Sequence, residues 1–338
     1  MKVLSLFDGM SCGRIALDQL GIPVEKYYAS EIDKYAIQVS QANYPDIEQV
    51  GDICNLNPKD YQCVDLMLAG SPCQGFSFAG KQLAFDDPRS ALFFEFIRLL
   101  KAIKPKYFLL ENVRMKKEFL QVISEQVSAC YPEITFGIEP IFINSSLVSA
   151  QSRQRYYWTN IPGIKQPEDK GIVLRDILED NYDSDRDKSY CIDANYYKGA
   201  SVEQYKKKCR RQLVNKAITI DKKKKQLTIK EATKKGYTTI EDGDCFDMTF
   251  PNSKTRRGRN MKDKSNCLTA ANYDYMRYEH SDQEQEVYWR KLTPVECERL
   301  QTVPDNYTNH VSNTQRYKML GNGWTIEVIK HIFKNMEI

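Results

Sequence analysis

The first 160 positions alternate short apolar runs with amphipathic stretches. Val3 to Phe7, Lys26 to Ser30, Leu66 to Ala69 and Tyr107 to Leu110 read as strands. Gly13 to Leu20 and Ala91 to Ile103 carry apolar residues at helical spacing. Strands separated by helices predict parallel pairing with crossover connections. Glu31, Asp52, Cys73 and Glu111 fall just beyond or near the ends of these strands, and the carboxyl ends of parallel strands are where ligand-binding and reacting groups collect.

Around residue 160 the pattern changes. Pro162, Pro167 and a charged segment through Lys188 lead into a stretch of short Thr- and Ile-containing strands, such as Ala217 to Ile220 and Leu227 to Ile229, set among polar turns. Beyond Leu292 the chain reads as helical again: Thr293 is placed to cap a helix whose first residue is Pro294, and Trp324 to Phe333 predicts a terminal helix returning to the first domain. The expected organisation is a first domain over 1–160, a second over 161–290, and a hinge with the returning helix over 291–338. No internal repeat or long low-complexity tract interrupts it.

Composition narrows the classes. With 338 residues, 41% of them hydrophobic, the chain can bury a sizeable core, which excludes a disordered tail or a disulfide mini-protein. The net charge of +4 is modest, but Lys198 to Lys235 holds 14 basic and three acidic side chains, so positive charge is concentrated there. Ten Cys without small-domain spacing read as reduced thiols, and three His, none beside a Cys pair, give no zinc pattern, so no metal is expected. Nothing reaches the roughly 18 apolar residues of a membrane span, and a cytoplasmic protein is expected.

Phe7-Asp8-Gly9-Met10-Ser11-Cys12-Gly13 joins a strand to a helix through a Gly-containing turn, suited to close approach by a nucleotide-like ligand. Glu31 is placed for ribose hydroxyls and Asp52 for an adenine amino group. The loop lacks the full Gly-x-Gly-x-x-Gly fingerprint, so a nicotinamide protein, a flavin protein and a simple tight turn all stay open at this point. Gly70-Ser71-Pro72-Cys73-Gln74-Gly75-Phe76-Ser77 places a Cys after Pro at a strand end, as an exposed nucleophile would be. Glu111-Asn112-Val113 and Gln151-Ser152-Arg153-Gln154-Arg155 add an acid and two guanidinium groups. Those groups suffice to add a nucleophile to an electron-poor ring while gripping its edge.

Taken in order, these segments resemble the motifs of the C5 cytosine-specific DNA methyltransferases, bacterial or phage type, over nearly the whole chain. Further matches are Leu292-Thr293-Pro294-x-Glu296-x-x-Arg299-Leu300-Gln301 and Gly321-Asn322-Gly323. The resemblance implies an α/β, Rossmann-like S-adenosylmethionine-dependent methyltransferase fold with a mostly parallel sheet, plus a smaller mixed target-recognition domain. It implies S-adenosylmethionine as methyl donor, held by Phe7, Gly9, Ser11, Glu31, Ile32, Asp52, Ile53, Pro72, Asn322 and Trp324. It further implies Cys73 as the nucleophile at cytosine C6, Glu111 at N3 and the exocyclic amino group, Arg153 at O2, and Arg155 among the catalytic groups. Gln74, Ser77, Arg89, Asn112 and Gln151 would meet the substrate, and Arg256, Arg257, Leu268 and Thr269 would belong to DNA recognition. Trp324 departs from many members, which have a small or aliphatic residue there, and Cys267 stands where Thr is common. Double-stranded DNA is the expected partner, with a monomeric enzyme and a cognate restriction endonuclease as functional partner. The alternatives are an RNA cytosine methyltransferase of the same family, whose Pro-Pro-Cys form is absent here, and a noncatalytic DNA-binding homologue, against which Cys73, Glu111 and Arg153 together argue.

Overall fold

A computed structural model describes residues 1–71, 91–179, 182–219, 227–241, 243–247, 260–262, 275–280 and 285–337. In chain order the first unit contains β1 (Lys2–Leu6), α1 (Cys12–Gln19), β2 (Lys26–Ser30), α2 (Lys34–Asn43), β3 (Glu48–Gln49), β4 (Leu66–Ala69), α3 (Ala91–Ile103), β5 (Tyr107–Val113), α4 (Lys117–Ser128), β6 (Ile141–Asn144) and β7 (Gln154–Thr159). Its strands form a sheet ordered β3-β2-β1-β4-β5-β7-β6 among the described residues. The five strands from β3 to β5 are parallel, whereas β7 runs antiparallel to both β5 and β6. Such a sheet is buried on both faces at its centre, and β4 is apolar and buried throughout. On α3, Phe93, Phe96, Leu99, Leu100 and Ile103 form the single stripe that packs into the core.

Two differences from the expected elements matter for the site. β1 stops at Leu6, and Phe7 leaves it in the left-handed region with φ 57°. β5 continues past Leu110 to Val113, because the antiparallel strand β7 keeps pairing with it: Glu111 faces Tyr157, Asn112 faces Tyr156 and Val113 faces Arg155. Glu111 therefore lies on a strand and not beyond one.

The register explains why distant motifs meet. Leu6 is aligned with Ser30 and with Ala69, and Ala69 with Leu110. The next residues along, Phe7, Glu31, Gly70 and Glu111, accordingly share the carboxyl rim of the sheet. After β1 the chain builds outward to β2 and β3, then crosses back to β4 on the other side. The reversal between β1 and β4 is the switch point at which open α/β sheets bind ligands.

The chain forms two compact units. One comprises Met1–Ile172, Leu300–Val311 and Asn322–Ile338; the other comprises Val173–Arg299 and Ser312–Gly321. In the second unit, α5 (Val202–Lys208) precedes β8 (Leu213–Thr219), β9 (Leu227–Lys230), β10 (Tyr237–Ile240), β11 (Cys245–Asp247), β12 (Asn260–Met261), β13 (Tyr275–His280) and β14 (Gln285–Lys291). They form an antiparallel sheet ordered β12-β11-β13-β14-β8 and a separate β9-β10 hairpin, around a small core of Ile229, Ile240, Phe246 and Tyr288. The strand expected at 217–220 begins earlier, at Leu213, and its Ile220 lies outside the described residues.

Helix α6 (Pro294–Leu300) starts in the predicted way. Glu296 N–H donates to Thr293 Oγ1 at 3.1 Å and Thr293 N–H donates to Glu296 Oε2 at 2.8 Å, a reciprocal capping box. The fully buried Glu296 also receives a two-pronged bond from Arg290 at 2.7 Å on each oxygen. Helix α7 (Asn313–Asn322) crosses the chain at Asp193 so closely that a Cβ on Gly321 would stand 2.2 Å from the Asp193 carbonyl carbon. Helix α8 (Ile326–Phe333) begins after Trp324 and Thr325, later than the sequence pattern implied, and buries Ile326, Val328, Ile329, Ile332 and Phe333 in the first unit. Among the described residues no helix is long and apolar enough to cross a membrane.

Candidate active site

The loop between β1 and α1 is built on three left-handed residues, Phe7, Gly9 and Ser11. For Phe and Ser that conformation costs energy, which the surroundings must offset. Asp8 supplies much of the bracing: its buried carboxylate accepts the Ser11 hydroxyl at 2.5 Å and the Tyr27 hydroxyl at 2.8 Å, and its N–H donates to the Ser30 carbonyl. Burial pushes the Asp8 carboxyl up to about 6, against the pull of the Ser11, Ser5 and Tyr27 hydroxyls. Ser11 also shares a hydrogen bond with Ser40, and the Tyr307 hydroxyl donates to the Met10 carbonyl at 2.8 Å. Neither Asp8 nor Tyr307 stood out as a site residue in the sequence. The interruption of an apolar strand by Asp8 was the available signal; Tyr307 had none.

Glu31 is held to this loop. One oxygen accepts Gly9 N–H at 2.8 Å, and the other accepts Ile32 N–H at 2.7 Å and Asp33 N–H at 2.8 Å. Beside it the Ile32 side chain is 75% exposed, an apolar surface at the rim. Asp52 is exposed and caps a short 3-10 helix through Cys54 N–H at 2.9 Å, while Ile53 is buried in the core. Gly9 and Gly51 both have positive φ, and no heavy atom lies within 4 Å of where a Cβ would stand. Carboxylates at two strand ends, an exposed apolar side chain and open space over two glycines fit a nucleoside with hydroxyl and amino donors.

On the other side of the switch point, Glu111 and Arg155 form an ion pair, Nε to Oε1 at 2.8 Å, with both side chains mostly buried. They are diagonal neighbours on one face of the β5-β7 pair. Arg153 has a different partner. It is 3% exposed, and its Nη2 donates to the Gly323 carbonyl at 2.8 Å. The two arginines thus differ in the partners seen here, Arg153 on the Gly323 carbonyl and Arg155 on Glu111. Gln151, expected at the substrate, is fully buried, with its Nε2 directed at Leu300 O and Gln301 Oε1. Asn112 is buried and donates to Ser71 Oγ at 3.3 Å, while Asn322 is exposed at the end of α7.

Pro72, Cys73, Gln74, Ser77 and Arg89, with Arg256, Arg257, Leu268 and Thr269, lie outside the described residues. Cys12, at the first position of α1, is a different kind of thiol. Its burial pushes it up to about 12, which keeps it protonated and unreactive at neutral pH. In the second unit the side chains from Lys206 to Arg210 are exposed at the end of α5, where cations are favoured by the helix dipole.

A mostly parallel sheet with an open rim at its switch point, and an acid-guanidinium pair at the neighbouring strand end, fit the α/β methyltransferase class. The C-5 cytosine-specific DNA methylase family matches residues 1–337, and the chain belongs to that family; it is a DNA cytosine-5 methyltransferase. Among curated relatives it is 31% identical to the Type II methyltransferase M1.ScrFI of Lactococcus lactis subsp. cremoris, over 99% of this chain and 77% of that one. It is 30% identical to the Type II methyltransferase M.NlaX of Neisseria lactamica, over 99% and 96%. The solved structure of the Entamoeba histolytica methyltransferase EhMeth shares the fold, with a TM-score of 0.60 at 16% identity over 100% of this chain and 99% of that one. Members of the family are S-adenosylmethionine-dependent.

Proposed function

We propose that this enzyme methylates C5 of one cytosine within a short, specific duplex sequence, using Cys73 as a covalent nucleophile and S-adenosylmethionine as donor. The observation that carries the reading of the site is the Glu111–Arg155 pair, fixed on one face at the sheet rim one strand away from the segment leading to Cys73.

The target base is stacked inside a duplex, so it must be rotated out before any side chain reaches C5 or C6. Glu111 then hydrogen-bonds or protonates N3 and accepts the exocyclic amino group, while Arg155 meets O2. This grip draws electron density from C6, where the Cys73 sulfur adds, and the pair of electrons displaced moves toward C5. Bound S-adenosylmethionine supplies an electrophilic methyl group to that carbon. Removal of the C5 proton and expulsion of the Cys73 thiolate leave 5-methylcytosine, S-adenosylhomocysteine and a regenerated enzyme. Glu31 would take the ribose hydroxyls and Asp52 the adenine amino group, with Ile32 against the ring and the Gly9 backbone under the amino-acid end. The exposed basic side chains of the second unit would attract phosphates, which positions DNA without choosing bases.

Relatives named Type II methyltransferases support a place in a restriction-modification pair, with a cognate endonuclease as functional partner; we take the enzyme to act as a monomer in the cytoplasm. The test is transfer of labelled methyl from S-adenosylmethionine to unmethylated genomic DNA, followed by sequencing that locates 5-methylcytosine. Recurrent modification at one short sequence supports the reading. Transfer to RNA alone, or none by a protein that binds the donor, refutes it.

A further inference from the structure

Arg153 is the outlying member of the site. A guanidinium 3% exposed is costly to bury unless it is hydrogen-bonded. Its Nη2 donates to a backbone carbonyl, that of Gly323. The same oxygen also accepts Gln301 Nε2 at 3.1 Å. Gln301 is itself fixed: Thr325 Oγ1 donates to its side-chain oxygen at 2.9 Å, Gln151 Nε2 reaches that oxygen at 3.3 Å, and Ile326 N–H donates to its carbonyl at 2.9 Å. The buried Cys12 thiol points at the next carbonyl, Trp324 O, at 3.9 Å. Gly323 and Trp324 are thus held from both sides of the segment, by residues of the first unit throughout.

What the clamp holds is the indole. Trp324 lies so close to Gly70 that a Cβ there would stand 3.0 Å from Nε1 and 3.4 Å from Cε2 and Cζ2. Gly70 follows the last residue of β4, at the switch point and three residues before Cys73. A flat aromatic group fixed there forms a wall of the crevice in which the donor is proposed to lie. We propose that Arg153 is a positioning residue for the methyl donor, acting through the Gly323 carbonyl to set Trp324 over Gly70.

This rests on S-adenosylmethionine as donor, so the test separates donor binding from turnover. Calorimetric titration with S-adenosylmethionine, without DNA, is compared for the wild type, Arg153→Met, Arg153→Lys, Trp324→Phe and the Met/Phe double variant; KM for duplex DNA and kcat at saturating donor are measured alongside. The expected result is about tenfold weaker donor binding in Arg153→Met, recovery to within about threefold in Arg153→Lys, which keeps one donor and the charge, and a KM for DNA within about threefold of wild type. Trp324→Phe should also weaken donor binding, and adding Arg153→Met to it should cost less than about threefold more, since both act on one group. Unchanged donor affinity in Arg153→Met with a raised KM for DNA or a fallen kcat overturns the inference and returns Arg153 to the base. Unchanged affinity in Trp324→Phe overturns it even if Arg153→Met does not fold. A wild-type protein that bound no S-adenosylmethionine would instead remove the donor assignment itself, and this inference with it.

Discussion

Asp8→Asn should change the dependence of stability on pH more than stability itself. The wild-type carboxyl is buried, and burial raises it to about 6, while in the unfolded chain it titrates near the ordinary value of about 4. Below about pH 4 it is protonated in both states and costs nothing extra. As pH rises through the interval from about 4 to 6, the unfolded chain releases the proton first, so stability falls with pH over that window. About 2 units at 1.36 kcal/mol each give a loss of about 3 kcal/mol by neutral pH. Asparagine has the same shape and can still accept from one of the Ser11 and Tyr27 hydroxyls that meet the carboxylate, but it carries no charge to desolvate. The stability of Asp8→Asn relative to wild type should therefore rise by about 2–3 kcal/mol between pH 4 and pH 7.5. Urea unfolding at half-unit pH steps, followed by circular dichroism, measures it. Parallel curves for the two proteins over that range would refute the reasoning and mean that the Ser11 and Tyr27 bonds offset the burial completely.

Other substitutions test the scaffold and the site separately. Gly321→Ala puts a methyl group against the Asp193–Ala194 backbone, which cannot yield as a side chain would, and should cost about 3 kcal/mol or more in urea unfolding. Arg290→Met leaves the fully buried Glu296 without its cation and should destabilise the second unit by about 3–5 kcal/mol, read by amide exchange around α6. Arg155→Ala should lower kcat about a hundredfold with donor affinity unchanged, in contrast to Arg153→Met, and calorimetry beside single-turnover kinetics separates the two.

The parallel strands and their helices were legible because each buried strand is a short apolar run and each crossover helix carries one apolar stripe. Glu111 was recognised as a site residue, yet its place on β5 depended on pairing with β7, a contact between residues more than 40 positions apart that no local pattern carries. Arg153 and Arg155 look equivalent two residues apart, and only tertiary contacts divide them, one to Gly323 and the other to Glu111. The Leu-Thr-Pro-x-Glu motif was legible as a helix start, but not as the place where Glu296 closes a capping box and buries an arginine at once. Asp8 was legible only as a member of the Gly-containing turn, whereas in the fold it braces that strained turn after β1 through Ser11 and Tyr27, contacts that no local pattern carries.

The central claim is covalent catalysis by Cys73 on cytosine C5 chemistry. Its most direct measurement uses a duplex carrying 5-fluorocytosine at the modified position, where the fluorine cannot leave as the C5 proton does and the adduct to the enzyme persists. With S-adenosylmethionine present, the wild-type protein should give a denaturation-resistant protein-DNA complex whose mass spectrum places the nucleotide on Cys73, and Cys73→Ser should give none. An adduct on another residue, or methylation of ordinary DNA by Cys73→Ser at the wild-type rate, would contradict the account.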